Sequence, residues 1–297
     1  MNYATKLCIV SMMSVFSVSS IGLVQAADTP IVSTGGVAYN IGVSGNSKFT
    51  YSDNVTLGGD AGTTNGNPYQ NSNDPNAKGN NIAIGRISLN GSSGGANVAL
   101  GSKTFLNGKG DYNFLGNFAA GFNSTISNTI AIGSFAGSGA TGNKNVWLGT
   151  GQAGGSTGNN TVLIGSNSKV DGNFNYGIGH NAELKGESNA VVGAYNHVTA
   201  NNTYVLGDHV DTTLNNAVVL GSQSTAESSD VVSTPSYTYA GGTVNFAGTA
   251  PVSTVSVGAT NQERTITHVA AGRVSADSTD AINGSQLYGA NQQIDNL

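Results

Sequence analysis

Residues 128–134 read Asn-Thr-Ile-Ala-Ile-Gly-Ser, and nearly the same phrase returns as Asn-Thr-Val-Leu-Ile-Gly-Ser at 160–166 and Asn-Ala-Val-Val-Leu-Gly-Ser at 216–222. Aligned on the closing glycine, ten copies run through Gly85, Gly101, Gly116, Gly133, Gly149, Gly165, Gly179, Gly193, Gly207 and Gly221, at spacings of 16, 15, 17, 16, 16, 14, 14, 14 and 14. The residue before the glycine (position −1) is aliphatic every time, from Ile84 to Leu220, with Leu115 before Gly116. Position −3 is apolar in most copies, Asn113 being a departure. An asparagine stands four or five residues before the glycine in nine of the ten; the phrase at 111–116 is the exception. Residues two apart share one side of a strand. The asparagine suits the turn entering that strand, and the glycine the turn leaving it.

A second, weaker strand follows three and five residues after the glycine, at Ser168 and Val170, Ala182 and Leu184, and Asn196 and Val198. Each unit is therefore strand, turn, strand, turn. Units this short and glycine-rich form neither helices nor propeller blades. They predict an all-β solenoid in which each unit makes one coil and pairs in parallel with the next. One such coil buries too little apolar surface to offset the ordering of its backbone. The more apolar strand is therefore expected to pack against other chains.

The 297 residues include 43 glycines, only 9% are charged, and the formal net charge is −5. Compact enzymes usually carry about 25% charged residues. The few lysines and arginines form no cluster, so no nucleic-acid partner is expected. Residues 1–26 read as an export signal: Lys6, an apolar run from Leu7 to Val24, then Val24-Gln25-Ala26 before the cut. The single cysteine, Cys8, lies in that segment, so the exported chain is expected to hold no disulfide and no thiolate metal site. Past Ser278 the pattern changes. Ser and Thr stand as caps, Asp280 falls in the first turn, and Leu287, Ala290, Ile294 and Leu297 follow a 3-4-3 spacing, the seam of a coiled coil. Asn283 falls at a core position of the same register.

Together these features resemble the YadA-like trimeric autotransporter adhesins. Asn80-Asn81-Ile82-Ala83-Ile84-Gly85 with Ser88 fits the family's head repeat, as do 160–165 with Ser168 and 216–221 with Ser224. The copy at 128–133 fits except for Ala136 in place of the last serine. Arg264, Ile266, Val269, Ala270, Ala271 and Gly272, then Thr279, Asp280, Ala281, Ile282, Asn283, Gln286 and Leu287, fit the family's neck. The resemblance implies a left-handed parallel β-roll head, forming a homotrimer on a Gram-negative cell surface, then a neck and the start of a trimeric coiled coil. It implies export to the outer membrane, where a C-terminal β-barrel anchors the family; no part of 1–297 reads as that barrel. The implied organisation is an export signal at 1–26, an N-terminal cap or extra β region at 27–79, the roll at 80–228, a head insert at 229–258, the neck at 259–286 and the stalk from 287 to 297. The implied trimer core is lined by Ile82, Ile84, Val98, Leu100, Ile130, Ile132, Val146, Leu148, Val162, Ile164, Ile178, Val192, Leu206, Val218 and Leu220. Some members bind collagen through the roll, which places candidate contacts at Asn80, Asn128, Asn160 and Asn216; the motif is mainly structural, and the same asparagines serve as turn formers.

Other chemistry finds little support. The carboxylates Asp111, Asp171, Glu183, Glu187, Asp208 and Asp211 do not announce a glycosidase pair. His180, His197 and His209 occupy different offsets in their repeats, which argues against a metal site, and no cofactor is expected. The expected function is attachment to host extracellular matrix or cells without catalysis. The alternative is a spacer in a trimeric fibre whose binding site lies elsewhere.

Overall fold

The computed structural model describes residues 55–57, 61, 63–64, 67–68 and 81–296. The export signal, most of 27–79, Asn80 and Leu297 lie outside the described residues. The chain divides into two compact units, residues 1–183 and 184–297.

In the first unit the repeated phrases form one parallel ladder. Its rungs are β1 (Val55–Leu57), β4 (Ile82–Ile84), β5 (Val98–Leu100), β6 (Phe114–Gly116), β8 (Ile130–Ile132), β10 (Val146–Leu148), β11 (Val162–Ser166) and β13 (Tyr176–His180), paired in that order. Ahead of β4, β2 (Thr63–Thr64) and β3 (Asn67–Pro68) make a short antiparallel pair. The second strand of the coil appears as β7 (Thr125–Ser127), β9 (Thr141–Asn143) and β12 (Lys169–Asp171); β7 and β9 pair in parallel. β14 (Glu183–Lys185) falls on the division between units. In the second unit β15 (Ala190–Val192), β17 (Tyr204–Leu206) and β19 (Val218–Leu220) continue the first-strand pattern, and β16 (His197–Thr199) pairs with β18 (Asp211–Thr212).

The register corrects the alignment at one coil. Val98 pairs with Phe114 and Phe114 with Ile130, while Leu100 pairs with Gly116 and Gly116 with Ile132. The turn residue of this coil is therefore Asn117, not Gly116, and Leu115 is a buried interior residue. With Asn117 in place the first five spacings all become 16, and Asn113 moves to position −4. Asn117 sits at φ 83°, the left-handed backbone that asparagine tolerates better than most residues. At the equivalent Gly133 the backbone differs (φ 136°), and there a Cβ would lie 2.3 Å from the Gly149 carbonyl oxygen, so position 133 admits only glycine.

The 16- and 14-residue coils differ before their second strand. After Gly133, residues 135, 137 and 139 all adopt positive φ before β9 begins; after Gly165 only Asn167 does so before β12. The longer turn is held by bonds to neighbouring coils: the Phe135 N–H donates to the Phe118 carbonyl, Gly137 to Gln152 and Gly139 to Phe122. The second strand consequently starts eight residues after the turn residue in the long coils. The offsets of three and five found for Ser168 and Val170 hold only in the short ones. Both of those side chains are buried.

Position −2 fills the interior of each coil. Ala83, Ala99, Leu115, Ala131, Trp147 and Leu163 are buried in the first unit, joined by Leu89, Phe105 and Ile126; Val191, Val205 and Val219 are buried in the second. The Trp147 indole N–H donates to Thr161 Oγ1 at 3.1 Å, so its polar edge is satisfied. Position −4 carries a buried amide ladder. Asn97 Oδ1 accepts the Asn113 N–H, and Asn113 Oδ1 accepts the Thr129 N–H. Asn145 Oδ1 accepts the Thr161 N–H, and Asn189 Oδ1 that of Thr203. The side-chain amides donate forward to carbonyls of the following coil, Asn97 to Gly110 and Asn145 to Gly158.

Within the second unit, an exposed antiparallel hairpin, β20 (Ser236–Tyr239) and β21 (Gly242–Asn245), leaves the ladder. The chain then returns as β22 (Val255–Ser256), which pairs in parallel with β19, so the last rung is supplied from within the expected insert. The helix α1 spans Gly284–Asp295. It begins later than Ser278 and Thr279 predict, because Asn283 is its cap: the Asn283 side chain accepts the Gln286 N–H and its Nδ2 donates to the Val269 carbonyl. Asn283 is therefore not a core residue of the helical seam, and Asp280 lies before the helix, paired with Arg273.

Candidate functional site

The alternation along each first strand sends −2 inward and therefore −3 and −1 outward. None of the fifteen aliphatics proposed for a shared core is buried within its own chain. Ile130 and Ile132 are each 41% exposed, and Leu206 is 58% exposed. Phe114 takes the −3 position of its coil and is exposed as well. Each unit thus carries a face of stacked branched side chains, which a protein that kept to itself would not leave open at this length.

The candidate contact asparagines lie one residue before the buried amide ladder. Asn128, Asn160 and Asn216 adopt φ of 52°, 55° and 60°, and their N–H groups donate to the Asp111, Asn143 and Asn201 carbonyls of the preceding coil. Asn128 and Asn216 are exposed and Asn160 is partly so. They share this turn position but are not adjacent rungs: Tyr112 and Lys144 occupy it on either side of Asn128. Asn80 falls outside the described residues. The buried −4 asparagines, invisible as a separate class in the sequence, carry the coil-to-coil bonds.

The carboxylates are committed to similar bonds. Asp111 Oδ1 accepts the Gly95 N–H at 2.7 Å, and Asp208 Oδ1 that of Ala194 at 2.6 Å. Asp211 pairs with His197 at 3.1 Å. Burial pushes the Asp171 carboxyl up, but the Lys169 ammonium and the Thr157 donors outweigh it and hold the group below the usual carboxylate range. His180 Nδ1 lies 2.7 Å from Ser166 Oγ, and His209 stacks on Tyr195 at 4.9 Å. Among the described residues no three His, Cys, Asp or Glu side chains gather as a metal set.

Several of the residues expected to form a neck bond one another or the last turns in the second unit. The Arg264 guanidinium donates to the Ser222 and Val257 carbonyls and to Ser224 Oγ, covering the turn at Gly221. Gly272 exchanges two bonds with the Gln286 side-chain amide. Arg273 grips Asp280 through both carboxylate oxygens at 2.7 and 3.0 Å, which holds that carboxyl below its ordinary range. Ile266, Ile282, Leu287 and Ile294 remain exposed, and Val269 is partly exposed.

The first unit is thus a parallel β-solenoid with an open aliphatic face, and the second ends in a helix whose heptad residues Leu287 and Ile294 are exposed. Residues 265–297 match the family model described as the coiled stalk of trimeric autotransporter adhesin. Over 72 residues the chain is 57% identical to the autotransporter adhesin BtaE of Brucella suis biovar 1 (strain 1330); the match covers 24% of this chain and 10% of that protein. A solved C-terminal YadA-like domain from Burkholderia pseudomallei is 44% identical, covering 36% of this chain and 43% of the other at a TM-score of 0.27, a likeness that adds nothing to the fold. The stalk match and the adhesin relative support a YadA-like adhesin.

Proposed function

We propose that this chain forms the head, neck and first stalk turns of a homotrimeric adhesin on the surface of a Gram-negative cell, binding host matrix or cell-surface protein without catalysis. The observation that carries the reading is the outward aliphatic ladder. Side chains such as Ile130 and Ile132 gain roughly 1–2 kcal/mol each on full burial, at about 25 cal/mol per Å². Repeated over successive rungs, this favours association with copies bearing the same ladder. The exposed neck and helix residues Ile266, Leu287 and Ile294 extend that requirement past the roll. The relative's description as an autotransporter adhesin supports export to the surface and a role in attachment.

The turn position held by Asn128 and Asn160 in the first unit, and by Asn216 in the second, supplies amides for a ligand, and the spacer reading competes with it. What favours a spacer is that the −4 asparagines Asn97, Asn113, Asn145 and Asn189, and turn glycines such as Gly133, are used up in holding the coils together. Light scattering on the purified chain, joined to plate binding of collagen, fibronectin and laminin, tests both. A trimer that binds one of these supports an adhesive head; a trimer that binds none favours the spacer; a folded monomer contradicts the assembly.

A further inference from the structure

We propose that the two rims of the aliphatic face are complementary between copies of this chain, and that Tyr112 of one copy seats against Phe118 and Phe135 of the next. The inference rests on the trimer reading and adds what sets its register. Three copies around an axis parallel to the stacking of the coils have all their strands running in the same rotational sense. The end of each strand then approaches the start of the neighbour's strand, a head-to-tail contact that closes after three. Residues at −5 on one copy therefore meet residues at +1 and +2 on another.

In the first unit one coil places large aromatic groups at both rims. Tyr112, at −5 before β6, is 57% exposed; Phe118, just after the turn residue Asn117, is 38% exposed. Phe135, two residues past Gly133 on the following coil, is 47% exposed. The Phe118 and Phe135 rings stand edge to face at 5.3 Å, and Lys103 Nζ from the preceding coil lies 5.7 Å from the Phe118 ring centre. Pure rotation about the axis leaves Tyr112 level with Phe118, with Phe135 one coil spacing of about 4.8 Å further on. A third ring completes an aromatic cluster in a favoured geometry.

The aliphatic ladder cannot set height by itself, since Ile, Leu or Val recurs on nearly every rung and a slip of one coil restores most contacts. The aromatic corner breaks that degeneracy. A slip one way places Tyr112 level with Ser102 and Lys103, away from both rings; a slip the other way places it level with Ser134 and Phe135 and costs the contact with Phe118.

The test uses the full chain with Cys8→Ser, so that introduced thiols stand alone. Tyr112→Cys with Phe118→Cys is expected to give a covalent trimer on a non-reducing denaturing gel after mild oxidation. β6 separates the two sites within a chain, beyond the roughly 7 Å between Cα atoms that a disulfide spans. Tyr112→Cys alone is expected to stay uncrosslinked, as is Tyr112→Cys with Thr150→Cys, two coils out of register. A trimer by light scattering without the Phe118 bridge, or with an equal Thr150 bridge, overturns the corner and leaves the trimer standing. A folded monomer removes the trimer itself. If the cysteine pair does not fold, the melting of Tyr112→Ala, Phe135→Ala and their double variant answers the same question: non-additive losses support the contact, and additive losses overturn it.

Discussion

At the scale of single residues, two neighbouring asparagine positions do different work. Asn113, at −4, is buried and bonded to Asn97, Ile126 and Thr129 at once. Asn113→Ala leaves the Thr129 N–H and the Ile126 carbonyl without these partners, at about 1–3 kcal/mol for each buried group. The expected result is a clear fall in melting temperature, read from the fluorescence of Trp147, the sole and fully buried tryptophan. Asn128, at −5, is exposed and held at positive φ. Asn128→Gly is expected to leave melting unchanged or slightly raised, and Asn128→Ala to lower it by about 1 kcal/mol through the left-handed backbone alone. If Asn128→Ala melts like Asn113→Ala, the division between buried rung and surface turn is wrong. The sequence shows an asparagine near each strand entrance, but its side depends on a one-residue offset that local spelling does not reveal. The candidate contacts Asn80, Asn128, Asn160 and Asn216 rest on the family resemblance, which does not separate the two positions.

At the scale of elements, the repeated strands and their parallel stacking were readable from spacing and the alternation of apolar residues. What escaped was register where two residues compete for one role. Gly116 and Asn117 can each close a turn, and pairing between coils chose Asn117. The helix start escaped for a similar reason: Ser278, Thr279 and Asp280 all resemble caps, but Asp280 is engaged by Arg273, and Asn283 has both the helical amide and the Val269 carbonyl within reach. The return of Val255–Ser256 to the ladder had no periodic signal, being a two-residue strand after an irregular excursion. Two predictions belong here. Gly133→Ala is expected to abolish cooperative folding, because its Cβ would lie 2.3 Å from a backbone oxygen, whereas Asn117→Gly is expected to be tolerated. A normal melting profile for Gly133→Ala would contradict the coil geometry. The Asp280 carboxyl is held below its ordinary value by Arg273, so its stabilising contribution is complete above the ordinary carboxylate pKa of about 4 and is lost as pH falls through the depressed value. The melting difference between the chain and Asp280→Asn should be constant above about pH 5 and shrink as the pH falls below the ordinary carboxylate range. A difference that persists in acid would mean that the ion pair is not its source.

At the scale of the whole molecule, the account turns on the open face. Interior residues such as Trp147 and Leu163 stabilise each coil from within, while Ile130, Ile132 and Ile164 remain for another surface to cover. Burying a carboxylate among apolar side chains costs several kcal/mol unless it is paired. Ile130→Asp with Ile132→Asp is therefore expected to dissociate the assembly or prevent folding, whereas Thr141→Asp, on the opposite strand β9, is expected to leave it intact. The measurement closest to the central claim is the solution mass of the purified chain by light scattering, with Trp147 fluorescence recorded on the same sample. The account predicts three times the chain mass with a buried tryptophan. A monomer that keeps Trp147 buried would contradict it, since the aliphatic face would then be stable in water uncovered.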